Sequence, residues 1–219
     1  MPEWWTYTLE DLQSFSLETY YRLFERYNAA IWPGQIVALA LGVAILAVLR
    51  RGASGRRGRL VAGILAACWV WTAIAFHATR YATIHRGAPW FAWAYGLEAL
   101  LLVGVGFLRG GLSLERRGGA RWIGLALFLF ALFVQPLAGM LFGRDWRQVE
   151  TFGVAPDPTA VGTLGLLLLT AGRVRWALIA VPLLWCAFSG ATLLAMGTPA
   201  GWVMVAAAVL AVLGSGLNL

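Results

Sequence analysis

The chain has 219 residues, of which 60% are hydrophobic and 12% charged, and its mean hydropathy is +0.73. A water-soluble domain of this composition would expose large apolar patches, so lipid is the expected solvent and one helical membrane domain the economical reading. The net charge of +7 comes from 17 basic residues, all arginine, lying between apolar runs. That placement reads as membrane topology and not as nucleic-acid binding, and the lack of lysine excludes a retinal or pyridoxal Schiff base.

The leader, residues 1–29, is acidic and aromatic and lacks the basic-then-apolar order of a cleavable signal peptide, so the first spanning helix is expected to carry the targeting information. Thr8 can cap a turn holding Glu10 and Asp11, and Ser16 can cap a helix over 17–27. Leu17, Tyr20, Leu23, Phe24 and Tyr27 then share one face. With Trp4 and Trp5 nearby, this stripe suits the headgroup zone of a membrane, and the leader is expected to be an interfacial amphipathic helix, although packing onto the bundle fits the spacing equally well.

Residues 30–219 read as a single domain of about seven transmembrane helices, at 30–49, 60–78, 88–108, 122–142, 159–171, 176–196 and 200–217. Arg50, Arg51, Arg56, Arg57 and Arg59 fill the first connection, Arg109, Arg116, Arg117 and Arg121 the third, and Arg173 and Arg175 the fifth. By the positive-inside rule these connections face the cytoplasm, which puts the N-terminus outside and the C-terminus inside.

The fifth segment is short: its 13 residues supply about 20 Å of helix against roughly 30 Å of hydrocarbon. Upstream, Asp157 is a good N-cap and Pro158 fits the first helical position. The segment Thr151, Phe152, Gly153, Pro156, Asp157, Pro158, Thr159 is therefore expected to enter the membrane as irregular backbone leading into a half-helix. Such backbone is tolerated only when buried in protein or lining a wet cavity. Pro136 and Pro182 should kink the fourth and sixth segments.

Counting along the segments places His77, Gln135 and Asp157 in the outer half of the bilayer, Arg80 near the outer surface and Glu98 near the midplane. Polar groups at such depth should face the bundle interior, where Asp157 caps its helix and His77 serves a backbone carbonyl, or where both face a ligand. Glu98 is either a neutral donor of one interhelical hydrogen bond or a proton carrier. Two histidines, His77 and His85, are too few for a three-histidine zinc site. Cys68 and Cys186 form no metal or disulfide motif, so neither metal nor cofactor is expected. Without a nucleophile elbow or phosphate-cradling loop, an enzyme reading has no positive support.

Several runs, Pro2-Glu3-Trp4-Trp5-Thr6-Tyr7, Thr19-Tyr20-Tyr21, Tyr27-Asn28-Ala29-Ala30, Thr151-Phe152-Gly153-Val154 and Pro182-Leu183-Leu184-Trp185, resemble a bacterial membrane family catalogued as domain of unknown function 6064. The resemblance covers essentially the whole chain. It implies a bacterial cytoplasmic (inner) membrane location and the same helical layout, and it supplies no catalytic residues. The family pattern has Cys between the prolines where this chain has Pro156-Asp157-Pro158, and Gly-His where it has Gly143-Arg144, so a soft-metal role is not expected here. The leading expectation is a small-solute or ion pathway with an outward-opening cavity lined by Asp157, His77, Gln135 and Glu98. The rival is a non-catalytic accessory or assembly subunit. Expected partners are membrane lipid and a homo-oligomer or larger membrane complex.

Overall fold

Ser16 opens the first helix by accepting a hydrogen bond from the Thr19 backbone N–H at 3.2 Å, and α1 runs over Leu17–Ile31. In this computed structural model the described residues are 15–52, 54–110, 112–114, 118–141, 143–171 and 174–216. The expected turn at Thr8 and the tryptophans Trp4 and Trp5 lie outside them. Among the described residues the chain is all-helical.

All seven predicted apolar segments are helices. They are α2 (Gly34–Arg50), α3 (Gly55–Trp71), α4 (Ala88–Leu101), α5 (Gly119–Leu129) with α6 (Gln135–Leu141), α7 (Pro156–Leu168), α8 (Val174–Ala195) and α9 (Gly201–Gly216). Three of these runs contain π-helical stretches, Thr72–Ala78 after α3, Leu102–Leu108 after α4 and Phe130–Val134 between α5 and α6. The last precedes Pro136, where a regular ladder could not continue unchanged. α8 runs through Pro182 as one helix.

Among the described residues four helical runs are long and apolar enough to cross a membrane: Gly55–Thr83, Ala88–Leu108, Gly119–Leu141 and Trp176–Ala195. A fifth is added if α1 and α2 count as one span, but their axes meet at 86°. Large apolar side chains face outward, among them Leu100, Leu141 and Leu184, as suits hydrocarbon and not water. Most exposed tryptophans lie at or near helix ends, with Trp32, Trp90, Trp93 and Trp202 toward one end and Trp122 and Trp176 at the other, while Trp71 is exposed within the Gly55–Thr83 run; the former is the placement of interfacial aromatic belts.

Side-chain contacts sort the connections into two ends. The Ala171 backbone N–H donates to Ser113 Oγ at 3.1 Å, and Gly58 lies directly against the Leu112 carbonyl, so the three arginine-rich connections meet at one end. At the other, Asn28 Nδ2 donates to the carbonyls of Arg147 and Val149 at 2.8 and 2.9 Å, and Phe15 packs on Tyr81 and His85 at 5.9 Å. α1 lies across this second end. Its aromatic stripe faces the protein: Tyr20, Tyr21, Leu23, Phe24 and Tyr27 are all buried.

α7 occupies the middle. Every residue from 150 to 170 is buried, and the helix packs against α5, α8 and α9, with α3 touching it. A helix apolar all round belongs in an interior. Its 13 residues need not match the hydrocarbon thickness, because its surface meets protein and not lipid. Glycines permit the close approach to α5: a Cβ on Gly165 would come within 2.6 Å of the Gly124 carbonyl oxygen and 2.7 Å of the Phe128 nitrogen.

The start of α7 differs from the sequence expectation. Ala155, and not Asp157, is the N-cap; Pro156 is the first helical residue and Pro158 the third. The prolines carry no N–H, so two of the four donors left free at a helix start do not exist here. The helix therefore needs no side-chain cap, and the Asp157 carboxyl is released for other partners.

Candidate functional site

The irregular segment 151–155 can stay buried because many of its backbone groups are hydrogen-bonded. Gly153 N–H donates to Thr159 Oγ1 at 2.9 Å, Ala155 N–H to the Thr151 carbonyl at 2.9 Å, and the Thr159 hydroxyl to the Ala155 carbonyl at 2.6 Å. Tyr27 of α1 donates its hydroxyl to the Val154 carbonyl at 2.7 Å, and Tyr95 of α4 to that of Pro156 at 3.3 Å. Gly153 has φ +84°, and a Cβ there would lie 3.0 Å from Cys68 Sγ. Sequence and packing thus both require glycine at this turn.

Asp157, 2% exposed, is held by α8. Trp185 Nε1 donates to Oδ1 at 2.8 Å, and Ser189 Oγ lies 2.8 Å from Oδ1 and 2.9 Å from Oδ2. A carboxylate has about four acceptor positions, so capacity remains on Oδ2.

Beside Asp157 lies a cavity of about 30 Å³, lined on its polar side by Tyr21, Gln135, Arg144, Glu150 and Asp157, and on its apolar side by Ala138, Leu193, Val203 and Met204 among others. That volume holds roughly two waters. Arg144 Nη1 is hydrogen-bonded to Glu150 Oε1, with side chains 8% and 5% exposed. Its guanidinium also lies 4.7 Å from the Tyr21 ring centroid and 4.8 Å from that of Phe24. Burial, the largest single influence, works against the Arg144 charge, but Glu150, Tyr20 and Tyr21 together outweigh it and hold the guanidinium pKa above its ordinary value. Arg144 is therefore a permanent cation, in a wall whose acidic partners are Glu150 and Asp157.

This wall is not saturated. Tyr21 Oη, Gln135 Oε1, Arg144 Nε and Nη2, and Glu150 Oε2 are buried without a hydrogen-bond partner among the described residues. Gln135 turns its Nε2 toward Met204 Sδ at 3.8 Å, leaving the oxygen free. Each such group costs about 1–3 kcal/mol when left unsatisfied.

Of the residues singled out from sequence, Gln135 and Asp157 come together here. His77 does not line the cavity. It stands behind Trp185, with ring centroids 4.8 Å apart, in a box completed by Tyr95 at 4.4 Å, Phe76 at 5.3 Å, Tyr81 at 5.9 Å and Phe91 at 6.0 Å. The expected bond from His77 to a carbonyl is absent, since neither ring nitrogen has a partner among the described residues. Glu98 is fully buried on α4 apart from the cavity, and the expected interhelical hydrogen bond is absent too: neither of its oxygens is bonded among the described residues. Arg80 sits half-buried in the connection after α3.

Sequence reasoning passed over the Arg144–Glu150 pair and the Trp185 and Ser189 donors. Arg144 and Asp157 line the same cavity.

Among the described residues no group of three or more His, Cys, Asp or Glu side chains is placed to hold a metal ion. No curated protein and no solved structure matches the chain. A family model described as "Family of unknown function (DUF6064)" matches residues 17–215, nearly the whole length, and the chain belongs to that family.

Proposed function

We propose that this protein is a small-solute or ion pathway of the bacterial inner membrane, with seven membrane segments, the N-terminus outside and the C-terminus in the cytoplasm. The gathering of the arginine-rich connections at one end supports the orientation, because that end would face the cytoplasm. The cavity then lies toward the opposite, outer end, near α1. One observation carries the functional reading: a half-length, wholly buried helix presents Asp157 to a cavity whose polar side is completed by Tyr21, Gln135, Arg144 and Glu150. Helices broken inside a bundle place substrate sites in this way.

The test is flux in proteoliposomes containing the purified protein, using protons, sodium, methylammonium and glycine as probes. Wild-type vesicles should pass at least one probe faster than empty ones, and Asp157→Asn should remove most of that flux. Wild-type flux no greater than in empty vesicles would overturn the pathway reading. A stoichiometric partner co-purifying with such inactive protein would move the assignment to an accessory or assembly subunit.

A further inference from the structure

The three arginine-rich connections contain one carboxylate, Glu115, which lies outside the described residues. Among the described residues none of their arginines is in an ion pair. Arg57 turns toward the end of α2, where Nη1 donates to the carbonyls of Arg51 and Gly52. Arg59, two residues on, stands on the other side of α3: a Cβ on Gly110 would lie 3.5 Å from its Nε and 3.7 Å from its Nη2. The Arg59 guanidinium thus reaches from α3 to the end of the Ala88–Leu108 run, next along the chain to Arg109, and both arginines are exposed. Apolar surface begins at once beside them. Leu60 follows Arg59, Phe107 and Leu108 precede Arg109, and all three are exposed. A Cβ on Gly63 would lie 3.5 Å from Phe107 Cδ2, so the two runs pack on each other along this seam. Both runs are long and apolar enough to cross a membrane, which puts the apolar side chains against hydrocarbon and the arginines at its edge.

We propose that the seam between α3 and the Ala88–Leu108 run binds an anionic phospholipid, with its phosphate on Arg59 and Arg109 and an acyl chain along Leu60, Phe107 and Leu108. The order of groups along the seam, cations and then an apolar strip, is the order of groups in such a lipid. Each guanidinium offers paired N–H groups that match two phosphate oxygens. Basic sites between membrane helices hold anionic headgroups in this way. A phosphatidylcholine headgroup would bring a cation of its own to a place with no described carboxylate to receive it. Free phosphate would leave the apolar strip unused. The proposal needs the chain to lie in a membrane, and it needs neither transport nor a given orientation.

The experiment is native mass spectrometry of the full-length, delipidated protein in detergent, titrated with phosphatidylglycerol or phosphatidylcholine. Phosphatidylglycerol should bind at least about tenfold more tightly, the equivalent of ~1.4 kcal/mol, and an excess of inorganic phosphate should not displace it. Arg59→Gln combined with Arg109→Gln should abolish the preference. Arg50→Gln combined with Arg121→Gln removes the same charge from α2 and α5 at the same end, and should keep it. If the first pair does not fold, Arg109→Gln alone decides, and should reduce the preference at least about threefold. Equal binding of the two lipids would overturn the site, and an equal loss in both pairs would replace it with a diffuse effect of charge. Displacement by inorganic phosphate would leave an anion site and no lipid site. Flux that depends on Asp157, without a lipid preference, sinks this site and spares the pathway, and a lipid preference without flux does the reverse.

Discussion

Trp185 donates its indole N–H to Oδ1 of Asp157 across 2.8 Å, tying the first turn of α7 to the middle of α8. The same ring packs on His77 and on Tyr95 at 5.3 Å, so one side chain joins the cavity wall to the aromatic box behind it. Trp185→Phe keeps much of the packing and removes the donor. A buried hydrogen bond lost to a polar acceptor should lower stability by about 1–3 kcal/mol, read as a lower melting temperature in detergent. An unchanged melting temperature would mean that Ser189 alone satisfies the carboxyl.

Close packing of α5 on α7 supplies a second prediction. Because a Cβ on Gly165 would press on backbone atoms of α5, Gly165→Ala must push the two helices apart, at a cost of about 1–3 kcal/mol. Gly96 of α4 is the control, since a Cβ there meets nothing within 4 Å. Gly96→Ala should leave the melting temperature unchanged or slightly raised. Equal effects at the two sites would show that α5 and α7 yield without strain.

His85, in the connection before α4, gives a pH dependence. Its Nδ1 accepts from the Gly87 N–H at 2.9 Å, which only an unprotonated nitrogen can do, and burial holds its pKa below the ordinary histidine value. A lowered folded pKa means that protonation favours the unfolded chain, so the contribution is fully present above about pH 6.5 and is lost as pH falls from there toward the folded pKa. Melting temperature should decline on acidification through that window. In His85→Gln the decline should be smaller, and an identical pH profile would assign it to another group.

Orientation is checked by single cysteines at Arg56, in the arginine-rich end, and at Trp146, exposed at the opposite end. The native cysteines, Cys68 and Cys186, are buried and should not interfere. In intact cells an impermeant thiol reagent should label Trp146→Cys and spare Arg56→Cys. The reverse pattern would invert the proposed topology.

The helices were legible because each apolar run approaches the length of a span and ends at arginines, prolines or a cap such as Ser16. Asp157 and Gln135 stood out because a polar side chain in an apolar run must find company. What sequence could not convey was the lateral position of each helix. The segment 159–171 looked like a span too short for lipid, whereas the helix there, Pro156–Leu168, is an interior one with no lipid to match. The same blindness hid the Arg144–Glu150 pair, whose six-residue separation across the turn Trp146–Gln148 follows no helical or strand period. Asp157 was misassigned as a cap because its residue type is the usual one for that role, while the flanking prolines had already removed the need.

Glu98 supplies the last prediction. It is fully buried on the face of α4 that also carries Tyr95 and Ala99, and neither carboxyl oxygen has a hydrogen-bond partner among the described residues. A group kept solely for stability would not be left in that condition, because an unpartnered buried polar group costs about 1–3 kcal/mol. Glu98→Leu should therefore raise stability by an amount of that order, and Glu98→Gln should leave the fold intact. Glu98→Arg, which forces a permanent charge into the same place, should prevent accumulation of folded protein. If Glu98 carries protons along the pathway, the Leu and Gln variants should both lose proton flux while remaining folded. A Glu98→Leu variant less stable than wild type, with flux unchanged in Glu98→Gln, would show that the carboxyl is a structural group and no part of the pathway.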